Sequence, residues 1–207
     1  MKQITFMSII TMLFTALPFA SCAQNRQNKT QEKMNDKKVL VAFFSRAGEN
    51  YAVGDIEQGN THIIAEMIAE ETGGTLFQIV PVTPYPDDYT ECTEVAEREL
   101  NAKSRPAIKG DAAVEDYDVI FIGYPNWWGD MPMPVYTFIE RHDWQGKTVV
   151  PFCTHEGSGL SGTEGKLKKA CGGATVKLGL AVRGATAQNS REQARQSVAN
   201  WLKRSGF

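Results

Sequence analysis

Basic runs are missing from this chain of 207 residues. Its formal charge is −2, and no stretch of Lys and Arg is long enough to follow a phosphate backbone, so no nucleic-acid partner is expected. Long hydrophobic runs are nearly missing as well. The one extended apolar stretch, residues 4–20, is interrupted by Thr11, Thr15 and Pro18 and is short for a membrane span. Cysteine is scarce, four in all, and no Cys-x-x-Cys occurs, which removes the usual dithiol signature. No second His and no carboxylate cluster stands at metal-ligand spacing beside His155, so no metal is expected. No internal repeat is visible. What is present is an ordinary globular composition with 42% hydrophobic residues, enough for the core of one domain plus a leader.

The leader is residues 1–21. Lys2 supplies a positive start, residues 4–20 an apolar core, and Phe19-Ala20-Ser21 leads into Cys22, the pattern of a signal peptide. Small residues before a cysteine resemble the lipobox of bacterial lipoproteins, in which that cysteine becomes the lipidated N-terminus; Phe19 stands where the motif prefers Leu. Lipidation at Cys22 would anchor an exported protein to a membrane of the bacterial cell envelope. Cleavage after Ala23 by an ordinary signal peptidase would instead leave it soluble and periplasmic. Removing residues 1–21 deletes one positive charge, Lys2, and takes the formal charge from −2 to −3. Residues 22–37 combine that cysteine with a polar, Asn- and Gln-rich segment that has no apolar periodicity, and they read as a disordered tether. Cys92, Cys153 and Cys171 remain, and an odd count leaves at least one thiol free. A Cys92–Cys171 pairing is conceivable but has no support in the sequence.

Residues 38–207 alternate strand and helix signals. Residues 38–44 (KVLVAFF), 75–80 (TLFQIV), 119–123, 148–153 (TVVPFC) and 175–182 are apolar enough to be strands buried in a parallel sheet, with Pro151 implying a bulge or an edge position. Helices are expected over residues 62–72, capped by Asn60 or Thr61, and over 89–103, 133–141, 163–170 and 190–203. The alternation gives one α/β domain, a doubly wound five-stranded parallel sheet.

Ligands of such sheets bind outside the carboxyl ends of the strands, and three loops there differ in chemistry. The loop after the first strand suits a phosphate: Ser45 and Thr61 offer hydroxyls, Asn60 and Thr61 backbone N–H groups at a helix start, and Arg46 a charge. The same residues would equally make an ordinary helix cap beside a turn. The loop after the third strand holds Pro125, Asn126, Trp127, Trp128 and Gly129. Either tryptophan can stack on a flat ring, and Gly129 lets backbone reach the ring edge; a hydrophobic pair closing the core is the plainer alternative. The loop after the fourth strand, Thr154, His155, Glu156, Gly157, Ser158 and Gly159, can wrap a polar ring edge with backbone donors. His155 itself reads as a structural hydrogen-bonding group, Cys153 as a small core residue, and Lys166-Leu167-Lys168-Lys169 as a solvated helix face.

Residues 39–45, Asn60-Thr61, Tyr124-Pro125-Asn126-Trp127-Trp128-Gly129 and the run from Pro151 through Gly159 together resemble the flavodoxin family, in its bacterial branch with a Trp-Trp-Gly loop and a Thr-His-x-Gly-Ser-Gly loop. The resemblance covers residues 38–207. It implies a flavodoxin-like sheet of strand order 2-1-3-4-5 and non-covalent FMN, with its phosphate at Ser45, Arg46, Asn60 and Thr61 and its ring between Pro125–Gly129 and Thr154–Gly159. It further implies an electron carrier serving redox partner proteins or small-molecule quinones. The second expectation is an NAD(P)H-dependent quinone or nitro-compound reductase, with His155 or Tyr124 as proton donors; the missing Gly-x-Gly-x-x-Gly does not exclude it, since nicotinamide can bind against the flavin. Two departures from ordinary flavodoxins stand out. Residues 47–58 intervene between Ser45 and Asn60, and are expected to form a lip over the cofactor or a partner surface. The third loop also lacks the aromatic that many flavodoxins stack on the outer ring face.

Overall fold

The computed structural model of the chain describes residues 37–207. The leader, Cys22 and the tether up to residue 36 lie outside the described residues.

The sheet is organised by three strands with hardly an exposed side chain. They are β1 (Val39–Phe43), β7 (Val119–Pro125) and β8 (Thr148–His155). β1 lies between β4 (Thr75–Gln78) and β7, β8 follows β7, and β10 (Leu180–Arg183) follows β8, with every pairing parallel. Counted along the chain this is the expected order 2-1-3-4-5. Side-chain alternation along β1 splits the core into two layers. Val39, Val41 and Phe43 face helix α1 (Asn60–Thr72) and the closing helices α5 (Gly184–Asn189) and α6 (Arg191–Ser205), meeting Ile63, Met67, Ala187 and Trp201. Leu40, Ala42 and Phe44 face the other way, toward Phe138 of α3 (Met133–Ile139) and Leu167 of α4 (Thr163–Ala170). Each large side chain so buried contributes about 1.5–3 kcal/mol.

The fifth strand is not continuous as its composition suggests. A short β9 (Thr175–Val176) pairs with the start of β8, and β10 pairs with its end. From Val149 to Phe152 the chain advances three residues, while their partners Val176 and Leu180 are four apart. The extra residue sits opposite Pro151, whose ring supplies no N–H to a ladder. The bulge implied by Pro151 is therefore carried by the partner strand, and β8 itself is interior, not an edge.

Two further differences bear on the site. Helix α1 begins at Asn60 with Gly59 as its cap residue and no side-chain cap, so Asn60 and Thr61 lie in its first turn. The insertion after Ser45 folds into an antiparallel hairpin, β2 (Gly48–Asn50) with β3 (Gly54–Ile56). A second small ribbon, β5 (Val80–Pro81) with β6 (Ile108–Lys109), brackets α2 (Tyr89–Ala102), and neither ribbon has an apolar run long enough to announce it.

Candidate functional site

The carboxyl ends of β1, β7 and β8 bring the three loops together, and specific contacts join them. Thr61 Oγ1 and Thr154 Oγ1 lie 2.7 Å apart and both residues are buried, which fastens the first turn of α1 to β8. Asn126 fastens the second loop to the third. Its N–H donates to Thr154 O, its Nδ2 to Gly159 O and Ser161 Oγ, and its Oδ1 accepts from Gly129 N–H.

At the first loop the chain approaches itself closely. A Cβ on Gly59 would lie 2.3 Å from Ser45 Oγ and 2.4 Å from Arg46 O, so only glycine fits there. Ser45 Oγ accepts from His62 N–H at 3.1 Å. The N–H groups of Ser45, Arg46, Asn60 and Thr61 have no acceptor among the described residues. Four free donors at the positive end of a thirteen-residue helix, with no acid in its first turn, form an anion cradle. The side chain of Arg46 is not part of it. Its guanidinium donates to the carbonyls of Glu49, Pro86 and Asp87 and so ties the hairpin to the chain ahead of α2. Asn60 is held by Gln188 of α5, whose Nε2 donates to Asn60 Oδ1 at 2.8 Å and to Gln58 O. Nothing in the sequence links Gln188 to a residue so distant along the chain.

At the second loop the two tryptophans are unlike. Trp127 is half-buried and packs edge-on against Phe44 and Tyr85, with ring centroids at 5.3 and 5.0 Å. Trp127 and Asp130 exchange both backbone hydrogen bonds, which leaves Trp128 and Gly129 as a two-residue hairpin turn. Their φ values are 54° and 72°, the double left-handed geometry of a type I′ turn that ordinarily takes Asn-Gly. A tryptophan in this conformation costs about 1–2 kcal/mol. Trp128 is nonetheless 55% exposed, and its indole N–H donates to Thr93 O on α2. A strained, exposed, anchored indole points to a role outside the fold itself. Lys166, expected on a solvated helix face, instead donates to Gly129 O at 3.1 Å and pairs with Asp130 at 2.8 Å, while Asp130 Oδ1 accepts from Tyr136.

At the third loop Gly157 N–H donates to His155 Nδ1 at 2.8 Å, and Glu156 Oε1 accepts from Ala185 N–H at the start of α5. The N–H groups of Glu156, Ser158 and Gly159 have no acceptor among the described residues. Burial and the Arg183 charge hold the His155 pKa below its ordinary value, against the smaller pull of Glu156, so the ring favours its neutral form. Tyr124 is fully buried, donates to Thr163 Oγ1, and has its pKa pushed far up by burial. Its hydroxyl is closed off from solvent and committed to Thr163. Cys92, Cys153 and Cys171 are buried and unpaired, and burial pushes the last two thiols up to about 12.

Taken from one end to the other, the arrangement offers free N–H donors and a helix start, then an exposed aromatic face, then a second set of free N–H donors. The flavodoxin family profile matches residues 38–204. Among solved structures, a protein from Bacteroides eggerthii assigned as a flavoprotein is 33% identical with a TM-score of 0.66, over 83% of this chain and 99% of that one. A second so assigned, from Bacteroides uniformis, is 33% identical with a TM-score of 0.62, over 81% and 98%. A flavoprotein from Lactobacillus acidophilus, solved in complex with FMN, shares the fold at 22% identity and a TM-score of 0.55, over 74% of this chain and 97% of that one. No curated protein matches.

Proposed function

The chain belongs to the flavodoxin family, and from that premise we propose that it binds FMN without a covalent link and carries electrons in the bacterial cell envelope. The observation that carries the reading is the pairing of an unsatisfied N–H cradle at Ser45, Arg46, Asn60 and Thr61 with the exposed indole of Trp128. The residues present fit the group. The cradle and the α1 terminus would hold the phosphate, Trp128 would stack on the ring, and the free N–H groups of the 154–159 loop would meet its polar edge. Bound FMN supplies one- or two-electron transfer.

The chain's own residues orient and tune. Lys166 holds the carbonyl of Gly129, which fixes the peptide that would border the ring. The net negative charge opposes added negative charge at the site and so lowers its reduction potential. His155 keeps the third loop closed only while Nδ1 is unprotonated. Because its folded pKa is lowered, this contribution is full above the ordinary value of 6.5 and is lost as pH falls below it. FMN affinity measured from neutral to mildly acid pH is expected to decline across that window. The decline should vanish in His155→Asn, whose side-chain oxygen keeps an acceptor for Gly157 N–H. A decline of the same size in the variant would contradict the role given to His155.

Export and a lipid anchor at Cys22 complete the reading, carried by the Phe19-Ala20-Ser21-Cys22 pattern. Labelled palmitate should enter the expressed protein and be lost in Cys22→Ser; an unlabelled protein would mean it is soluble. An NAD(P)H-dependent quinone or nitro-compound reductase is the second reading, favoured by a cavity of about 250 Å3 beside Trp128. Adding NADH or NADPH to the FMN-loaded protein separates the two. A carrier keeps its oxidised flavin spectrum until a reductase is supplied, whereas a reductase bleaches at once and consumes nicotinamide steadily with a quinone.

A further inference from the structure

Charge is unevenly spread along the chain. Residues 38–159 carry 20 acids against 8 Lys and Arg, whereas residues 160–207 carry 9 Lys and Arg against Glu164 and Glu192 alone. The fold turns this into a spatial asymmetry. Helices α4, α5 and α6 and strands β9 and β10 all come from the basic segment, and β9 and β10 form the open sheet edge beyond β8.

Leu178 lies in the break between β9 and β10 and is 71% exposed, the barest large apolar side chain among the described residues. Three contacts fix its surroundings. Lys177 N–H donates to Val149 O at 2.8 Å, immediately before it. Trp201 Nε1 donates to Leu178 O at 3.0 Å, and Arg204 stands one turn further along the same face of α6. Glu164 Oε1 accepts from Gly179 N–H at 2.6 Å, and Lys168 stands one turn beyond Glu164 on α4. Lys168, Lys177 and Arg204 are exposed and have no carboxylate partner among the described residues, whereas Lys166 and Arg195 are already paired. Lysine on an open sheet edge is an ordinary guard against edge-to-edge pairing. A guard has no use for an exposed leucine at its centre. Three cations around an apolar side chain suit a surface that meets anionic lipid, with charge for the headgroups and an apolar group for the boundary beneath them.

The strand register supports that assignment. Val39, Val119, Thr148 and Thr175 stand side by side across β1, β7, β8 and β9. The chain therefore enters β1 at the same end of the sheet as β9, three strand spacings or about 14 Å away. The three-loop site is at the opposite end, so a lipid surface at Leu178 leaves it open. The sequence leading into β1 adds Arg26, Lys29, Lys33 and Lys37 against Glu32 and Asp36.

We infer that the sheet edge at Leu178, with Lys168, Lys177 and Arg204, is a docking face for an anionic phospholipid surface. The proposal rests on the export reading for its setting, but binding by the folded domain requires no anchor.

The test is co-sedimentation of the purified soluble form, residues 24–207, with vesicles of phosphatidylcholine alone or mixed in equal parts with phosphatidylglycerol. That form contains every element described above and no lipid. Binding is expected to the mixed vesicles and not to the neutral ones, and it should fall with added salt. The triple variant Lys168→Gln, Lys177→Gln, Arg204→Gln should weaken it roughly a hundredfold, about fivefold for each charge. Leu178→Ser should weaken it several-fold. The triple variant Arg98→Gln, Lys103→Gln, Lys109→Gln removes the same charge from α2 and the chain after it, and should bind as the wild type does. No binding by the wild type would overturn the proposal, as would full binding by either edge variant. Equal losses in the two triple variants would overturn it too, by showing that net charge alone drives adsorption. Self-association without vesicles that the edge triple abolishes would assign the face to a second copy and overturn it as well. A protein that binds the mixed vesicles yet takes up no palmitate label would lose the anchor and keep the docking face, so the two readings fail separately.

Discussion

Trp128→Ala is expected to weaken FMN binding by roughly 5- to 150-fold and to leave the fold intact, whereas Trp127→Ala should lower stability first. The contrast follows from where the two rings spend their surface. Trp127 is packed edge-on against Phe44 and Tyr85, so truncating it leaves a hole beside the core, a change that costs a few kcal/mol. Trp128 buries little against its own protein and is held in place by one indole hydrogen bond to Thr93 O. A ring stacked on an aromatic side chain is worth about 1–3 kcal/mol, which sets the range of the expected loss. Alanine also relieves the protein of a bulky side chain at φ 54°, so thermal stability should hold. Flavin fluorescence titration and a thermal melt on each variant check both halves. Unchanged FMN affinity in Trp128→Ala would remove the stacking claim.

Gly59→Ala is expected to be the more damaging change at the other end of the site. The added methyl would meet Ser45 Oγ and the carbonyl of Arg46 well inside contact distance, and the second of these is backbone that cannot rotate away. Either the start of α1 or the 45–46 peptide must move. Overpacking of this kind costs about 1–3 kcal/mol of stability. Both escapes also scatter the four N–H groups of the cradle, so FMN affinity should fall at least tenfold. Riboflavin, which lacks the phosphate, should lose much less. Equal losses for the two ligands would mean that the cradle does not hold a phosphate.

The strand order was legible because each strand carries a short apolar run and each helix one apolar stripe. The fifth strand was not, since its break depends on a missing N–H in Pro151 on the neighbouring strand, a pairing that periodicity does not encode. The three loops were legible as loops with distinct chemistry. Which side chain does what within them was less so. Arg46 looked like a phosphate ligand because Arg beside a helix start so often is one, yet the carbonyls that claim it come from the hairpin and from residues 86 and 87. Lys166 looked solvated because its neighbours in sequence are charged, yet it reaches Gly129 and Asp130 in another loop. What sets Trp127 and Trp128 apart, one packed on Phe44 and Tyr85 and the other exposed at a left-handed turn position, is not written in periodicity, because counting from the strand favours one and counting from the glycine the other.

The most direct test of the central claim is to compare the affinities of the purified protein for FMN and for riboflavin. An anion cradle at Ser45, Arg46, Asn60 and Thr61 joined to an aromatic face at Trp128 predicts tight one-to-one FMN binding, with free FMN released on denaturation and riboflavin at least tenfold weaker. Equal affinity for the two, or no binding of either, would contradict it.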